Sequence, residues 1–214
     1  MRKIVAGEFL TVDGVYQAPG GPDEDVEGGF TNGGWVVPFI DEELGEFIVG
    51  MIKSADAFLF GRKTYDIFAG SWPMTPEDDP VGAKFNNSQK YVASNTLTSA
   101  DWRNTTLLSG DVAAEVAKLK EQDGGEIQLA GSGNLIQTLL KNDLLDELIL
   151  FFFPVVIGEG KRLFGEGTLP RSLKLVSSRV FGSGVVVSTY QRAGALGTGA
   201  YGIETGNYEP FSNK

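Results

Sequence analysis

The chain of 214 residues contains neither cysteine nor histidine. The first absence excludes disulfides, thiolate catalysis and cysteine-ligated zinc or iron–sulfur centres. The second removes the commonest general base and transition-metal ligand. Long apolar runs are missing too. "LILFFFPVVI" at 148–157 is the longest, about half of the ~20 residues a membrane-spanning helix needs, and it contains Pro154. At the N-terminus Arg2 and Lys3 are followed only by "IVAG" before Glu8, which is no secretory signal, so a cytoplasmic chain without a membrane partner is expected. Positive charge is also short: 18 Lys and Arg stand against 28 Asp and Glu, a net charge of -10. A nucleic-acid partner is not expected, since such binding rests on Lys and Arg neutralising phosphates. Chemistry is left to carboxylates, Tyr, Lys, Arg, hydroxyls, backbone groups or a bound cofactor.

What is present is an alternation of short apolar runs and helical patterns, the signature of βαβ units around a largely parallel sheet. "KIVAGEFL" reads as a strand. A Gly/Pro/Asp-rich segment at 13–34 follows, too long for an ordinary connection and therefore functional or mobile. "DEELGEFIVGMIKSA" at 41–55 has helical spacing, "DAFLFG" reads as a strand and "RKTYDIF" as a short helix, before a loop with Pro73, Pro76 and Pro80. "KYVAS" and "TTLLS" read as strands, "DVAAEVAKLKEQ" as a helix begun by an Asp cap, and "EIQLAG" as a strand. A helix with Leu135, Ile136, Leu139 and Leu140 on one side comes next, then "DELILFFFPVVIG", a central strand that Pro154 must end or bend. "LKLVSSRVF" and "GVVVSTYQR" flank Gly182-Ser183, a two-residue hairpin signal. The expectation is an α/β domain at 1–192, its mixed, mostly parallel sheet finished by a C-terminal antiparallel hairpin, with a Gly-rich extension at 193–214.

Two strand-to-helix junctions stand out. Gly131-Ser132-Gly133 lacks the third glycine of a dinucleotide fingerprint, that position being Ile136. It remains either a tight turn or a place where a pyrophosphate approaches backbone N–H groups at a helix start. In "FGRKTYDIF" at 60–68, Arg62 and Lys63 sit at a helix start, where the dipole disfavours cations unless an anion binds. Two such junctions point to one nucleotide held between them.

With these two motifs, "VASN" at 92–95, "DELILFFFPVVIGEGKRLF" and "EFLTVDGVYQAPGG", the chain over residues 2–192 resembles the dihydrofolate reductase superfamily. It is most similar to the branch of the reductase domain of bacterial riboflavin biosynthesis. The resemblance implies a three-layer α/β fold, NADPH as hydride donor and often a homodimer. It also implies that Gly61, Arg62, Lys63 and Thr64 hold phosphates, Arg62 beside the adenosine 2′-phosphate. Ser94 and Asn95 would lie near the adenosine ribose, and Gly131, Ser132, Gly133, Asn134 and Leu135 would cradle the pyrophosphate. Gly7 to Phe9 and the loop from Asp13 would border the nicotinamide.

A reductase of this kind lets the cofactor carry the hydride, which suits a chain without His or Cys. For the proton, dihydrofolate reductases use a carboxylate on the helix after the active-site loop, here Glu43 or Glu46. Glu43 flanks the Leu44/Phe47/Ile48/Met51 stripe and is the better candidate. Asp13 is a cleft residue or a plain turn former, and Glu8 a pocket-facing or surface residue. Trp35 and Phe39 either stack on a flat heterocycle or belong to the core, and Tyr65 is expected in the core. Apolar Phe151, Phe152 and Phe153 stand where folate reductases carry a polar residue, which argues against dihydrofolate. No basic cluster for a substrate phosphate is identifiable, and no deaminase zinc site exists. The expected activity is NADPH-dependent hydride transfer to a C=N or C=O bond of a small heterocycle. The alternative is a non-catalytic NADPH-binding or regulatory module, and an interaction protein is a third possibility.

Overall fold

The computed structural model describes residues 1–199. Eight strands form a single sheet among these residues: β1 (Ile4–Thr11), β2 (Ala57–Gly61), β3 (Gln89–Ala93), β4 (Thr105–Leu108), β5 (Ile127–Ala130), β6 (Glu147–Phe153), β7 (Arg171–Val180) and β8 (Val186–Ala195). Their order is β4-β3-β2-β5-β1-β6-β8-β7. All pairs from β4 to β6 are parallel, while β8 joins β6 and β7 antiparallel, which gives the mixed sheet with its terminal hairpin. Five α-helices cover it: α1 (Glu42–Ser54), α2 (Arg62–Ala69), α3 (Pro80–Asn87), α4 (Val112–Glu121) and α5 (Gly133–Lys141).

The continuous apolar character of the central strands follows from burial on both faces. In β2, Ala57 and Leu59 join the cluster under α4 and α5, whereas Phe58 and Phe60 join the one under α2 and α3. In β6, Phe151 and Phe153 pack against Leu44 of α1, and Phe152 faces the α4/α5 side. Phe153 is the hub of that third cluster. It meets Phe9 at 5.4 Å, Trp35 at 5.5 Å and Phe39 at 6.2 Å between ring centroids, all edge to face, an arrangement favoured by the ring quadrupoles.

Helix starts follow the sequence closely at three places. Asp41, Asp79 and Asp111 cap α1, α3 and α4, each carboxylate accepting a backbone N–H of the first turn. Helix α3 lies where the prolines read as a loop. Asp79-Pro80 is instead an N-cap followed by proline at the first helical position, where its missing N–H costs nothing.

β6 stops at Phe153, immediately before Pro154, as its missing donor requires. The hairpin is longer than the two-residue turn expected at Gly182-Ser183. Phe181 N–H bonds Val185 O, Gly184 N–H bonds Phe181 O, and Gly184 has φ +85°. The left-handed glycine therefore lies at 184, two residues after Gly182, as in a turn closed by a bulge. The domain boundary expected after residue 192 falls inside β8, and residues 200–214 of the expected extension lie outside the described residues. No described helix is long and apolar enough to cross a membrane.

Truncating the hub by Phe153→Ala is expected to lower stability by about 3–5 kcal/mol. Val156→Ala at an exposed position away from the sheet edge is expected to change it by less than about 0.5 kcal/mol. Urea unfolding midpoints check both.

Candidate active site

A cleft of about 1170 Å³ opens at the C-terminal ends of β1, β2 and β5. It exceeds the ~300–1,000 Å³ usual for a small-ligand pocket. β1 lies between β5 and β6, so the chain crosses from one side of it to the other, the kind of switch point at which open α/β sheets place ligands.

The starts of α2 and α5 converge on the cleft and are joined by one side chain. Ser132 adopts a left-handed backbone (φ +68°). Its Oγ accepts the Gly61 N–H at 2.9 Å and donates to Thr64 Oγ1 at 2.8 Å. Glycine is needed around this contact for space. A Cβ on Gly61 would lie 3.2 Å from Ser132 Oγ, and one on Gly131, which also has φ +59°, would lie 3.2 Å from Thr64 Oγ1. A Cβ on Gly133 would sit 2.6 Å from Tyr16 Cζ. Unlike α1, α3 and α4, neither α2 nor α5 has a side-chain cap, so their first N–H groups are available to an anion.

Four cations line the same cleft: Arg62, Lys63, Lys161 and Arg162. Arg62 donates to Thr96 Oγ1 at 2.7 Å and pairs with Asp66. Lys63 pairs with Glu27, and Lys161 with both Asp25 and Glu27. The neighbouring Lys161, with a smaller contribution from burial, pulls the Lys63 ammonium below its usual pKa. Residues nearly 100 positions apart along the chain thus meet at one cleft. Tyr16 N–H bonds Lys161 O at 2.9 Å and holds the segment at 161–162 against the loop after β1.

The loop after β1 is fastened rather than loose. Asp13 accepts from Thr11 Oγ1 at 2.6 Å, Gly158 N–H at 2.8 Å and Ile157 N–H at 3.2 Å, and pairs with Arg162. The Thr11 hydroxyl, then these backbone donors, hold its pKa well below the usual carboxylate range. Gln17 bonds the carbonyls of Asp25 and Glu27, and Trp35 Nε1 donates to Gln17 O at 2.8 Å.

The residues expected at the site separate accordingly. Gly61 to Thr64, Gly131 to Leu135 and Glu8 all line the cleft. Ser94 and Asn95 shape the neighbouring turn instead. Ser94 Oγ accepts from Thr96 and Leu97 N–H, and Asn95 bonds Gly110. Trp35 and Phe39 belong to the core around Phe153, and Tyr65 is buried as expected. Neither carboxylate expected to be catalytic, Asp13 or Glu43, lines the cleft. Asp13 is an ionised staple, and Glu43 is half-exposed and paired with Arg179 at 2.5 Å. α1 turns Gly45, Ile48, Val49 and Ile52 toward the cleft, a stripe that places Glu43 and Glu46 off its face. Tyr16, Glu24 and Lys161 were missed because no local pattern marks them.

Glu8 differs from every other carboxylate here. It is 3% exposed, and its Oε2 is buried without a hydrogen-bond partner. Burial pushes its pKa well above the usual carboxylate range. The Phe9 backbone N–H opposes this, and the Glu24 charge adds to it.

A mixed, mostly parallel sheet with a terminal antiparallel hairpin and a cleft at the ends of its central strands defines a dihydrofolate reductase-like domain. The RibD C-terminal domain matches residues 2–187, and the chain belongs to that family. It is 30% identical over 192 residues to the uncharacterized protein YyaP of Bacillus subtilis, covering 88% of this chain and 94% of YyaP. Among solved structures it is similar to a putative riboflavin biosynthesis protein from Shewanella sp. PV-4. That match has a TM-score of 0.62 at 23% identity, covering 89% of this chain and 99% of the other. Dihydrofolate reductase from Enterococcus faecalis, solved with NADP(H), has a TM-score of 0.54 at 14% identity, with 89% and 96% covered.

Ser132→Ala leaves the Gly61 N–H without its partner and is expected to cost about 1–3 kcal/mol. A shift of the urea midpoint smaller than that of an exposed serine such as Ser99→Ala would refute this.

Proposed function

We propose that the protein is an NADPH-dependent reductase that transfers hydride to a C=N or C=O bond of a small, flat heterocycle. The observation that carries this reading is the pair of uncapped helix starts tied together by Ser132 at the cleft. Their free N–H groups, with Arg62, Lys63 and Lys161 beside them, suit the phosphates of a dinucleotide. Gly61, Gly131 and Gly133 allow close approach of backbone there, as a bound pyrophosphate needs. Gly61 to Thr64 would hold one end of the cofactor, Arg62 its 2′-phosphate, and Gly131 to Leu135 the pyrophosphate.

When bound, NADPH supplies the hydride. The chain's own contribution is to position the reacting groups and exclude water. Phe9, Ile48, Val49 and Phe151 give the cleft an apolar wall, which fits a flat ring better than a charged one. Membership in the RibD C-terminal domain family and the likeness to an NADP(H)-binding reductase support the reading without naming a substrate.

Titration calorimetry is expected to detect NADPH binding. Arg62→Ala should weaken it about tenfold or more, the scale of one charge-assisted contact, and narrow the preference over NADH. No binding of either dinucleotide would sink the proposal. The engagement of Asp13 and Glu43 outside the cleft favours one second reading, a module that binds NADPH without turnover. It requires that no imine, carbonyl or pterin cause NADPH oxidation at ~340 nm, the cofactor's absorbance.

A homodimer belongs to the same proposal. β7 is an edge strand that exposes Leu175, Val176 and Val180, and such an edge invites pairing with a second copy. Light scattering is expected to give a dimer for the parent and a monomer for Leu175→Arg; a monomeric parent would dispose of it.

A further inference from the structure

The reduction needs a proton as well as a hydride, and neither candidate donor on α1, Glu43 or Glu46, lines the cleft. Four carboxylates line it: Glu8, Glu24, Asp25 and Glu27. Asp25 and Glu27 are paired with lysines. Glu24 accepts from the N–H groups of Gly20 and Gly21 at 2.5 and 3.1 Å. Asp25 and Glu27 are thus engaged by ammonium groups and Glu24 by backbone donors, although burial raises the Glu24 pKa against them. Only Glu8 has a buried carboxyl oxygen with no partner.

Its place in the fold makes the residue type costly. Glu8 sits in β1 opposite Leu150 of β6, on the strand face that carries Ile4, Ala6 and Leu10 into the core. A leucine there would fill the same space without burying a polar group. A charged carboxylate so placed would be strongly disfavoured, and the neutral acid is the form the site accepts.

The ionisable groups around it act in the same direction or lie further off. Glu24 and Tyr16 come from the loop, and Tyr16 is itself raised above its usual pKa by burial first and by Glu8 next. Asp25 and Lys161 lie beyond Tyr16, while Arg62, Lys63 and Arg162 line the cleft. The cleft residues of α1, α5, β5 and β6 carry no ionisable side chain.

We propose that Glu8, as the neutral acid, is the catalytic proton donor, and that the substrate presents the nitrogen of a C=N bond to it; this rests on the reductase reading above. Hydride leaves the dihydronicotinamide for the imine carbon, and the C=N π pair moves onto nitrogen. That nitrogen takes the proton as the Glu8 O–H bond breaks. The products are the amine, NADP⁺ and the Glu8 carboxylate, which regains its proton from water. A ring nitrogen is the fitting acceptor because it is far more basic than a carbonyl oxygen and accepts a proton from a weak acid. The arrangement is the reverse of an N-cap carboxylate: one carboxyl oxygen is buried without a donor.

The test has two arms. In the chain without cofactor, carbon-13 NMR of labelled glutamate, with the Glu8 signal assigned by its loss in Glu8→Gln, is expected to show Glu8 protonated at neutral pH. A raised folded-state pKa adds stability fully below the unfolded value of ~4.3 and loses it as pH rises through the folded one. The melting temperature of Glu8→Gln should therefore gain on the parent with rising pH; Glu8→Leu, which fills the space without a polar group, should show the same trend. In the second arm, NADPH affinity is measured by calorimetry and NADPH oxidation with the cyclic imine 3,4-dihydroisoquinoline. Glu8→Gln should bind NADPH like the parent, yet turn over about 10²–10⁴-fold more slowly. The parent's fall in rate at high pH should disappear in the variant. Absence of NADPH binding would overturn the reductase reading itself. Binding with Glu8 ionised at neutral pH, with Glu8→Gln as fast as the parent, or with no imine turnover by the parent, would overturn the proton-donor assignment.

Discussion

The hydroxyl of Ser132, shared between the Gly61 N–H and Thr64 Oγ1, is the contact on which the cleft depends. It pins the turn after β5 to the turn after β2, so two helices that start 71 residues apart open toward the same space. The contact is possible only because Gly61 and Gly131 leave room for it and Ser132 accepts a left-handed backbone. A serine that capped α5 in the ordinary way would have satisfied one helix start and left the two junctions unconnected. The energy of a cap is given up at α5, and its first N–H groups are left open toward the cleft instead.

The carboxylates around the cleft divide by what surrounds them. Asp13 is surrounded by donors and is held as an anion, which fastens the loop to the segment at 157–162. Asp25 and Glu27 balance Lys63 and Lys161 and so tie that loop across the cleft to α2. Glu8 keeps one carboxyl oxygen buried without a partner, and burial raises its pKa. The same functional group thus serves as staple and counter-ion and, in the proposal above, as acid. Environments that push equivalent groups apart in pKa are a mark of acid–base assignment in a reactive cleft.

The apolar "FFF" strand has a structural explanation. Phe151 and Phe153 point into the layer under α1, where Phe9, Trp35, Phe39 and Leu44 meet them. The aromatic residues that sequence alone offered as a stacking platform build the wall behind the cleft. Helix α1, on which a catalytic carboxylate was expected, instead presents Gly45, Ile48 and Val49 to the cleft, while Glu8 lines it from β1.

The order of the strands, the Asp111 cap, the end of β6 at Pro154 and both strand-to-helix junctions were legible along the chain, because each depends on residues within a few positions of one another. α3 was missed where proline count outweighed the Asp79-Pro80 start signal, and the hairpin glycine was read two residues early. The roles of Glu8, Glu43 and Asp13 were not legible. A carboxylate in a sequence carries no record of its donors, and Gly158, Arg162, Arg179 and Glu24 reach these three only across the fold. Tyr16 and Lys161 are neighbours for the same reason, through one backbone bond between distant segments. The sequence by itself determined the family, the parallel sheet and the places where backbone N–H groups are left free, all set by local propensity and spacing. Tertiary structure alone decided which carboxylate is buried and which is paired, because burial and charge partners are properties of the packed chain.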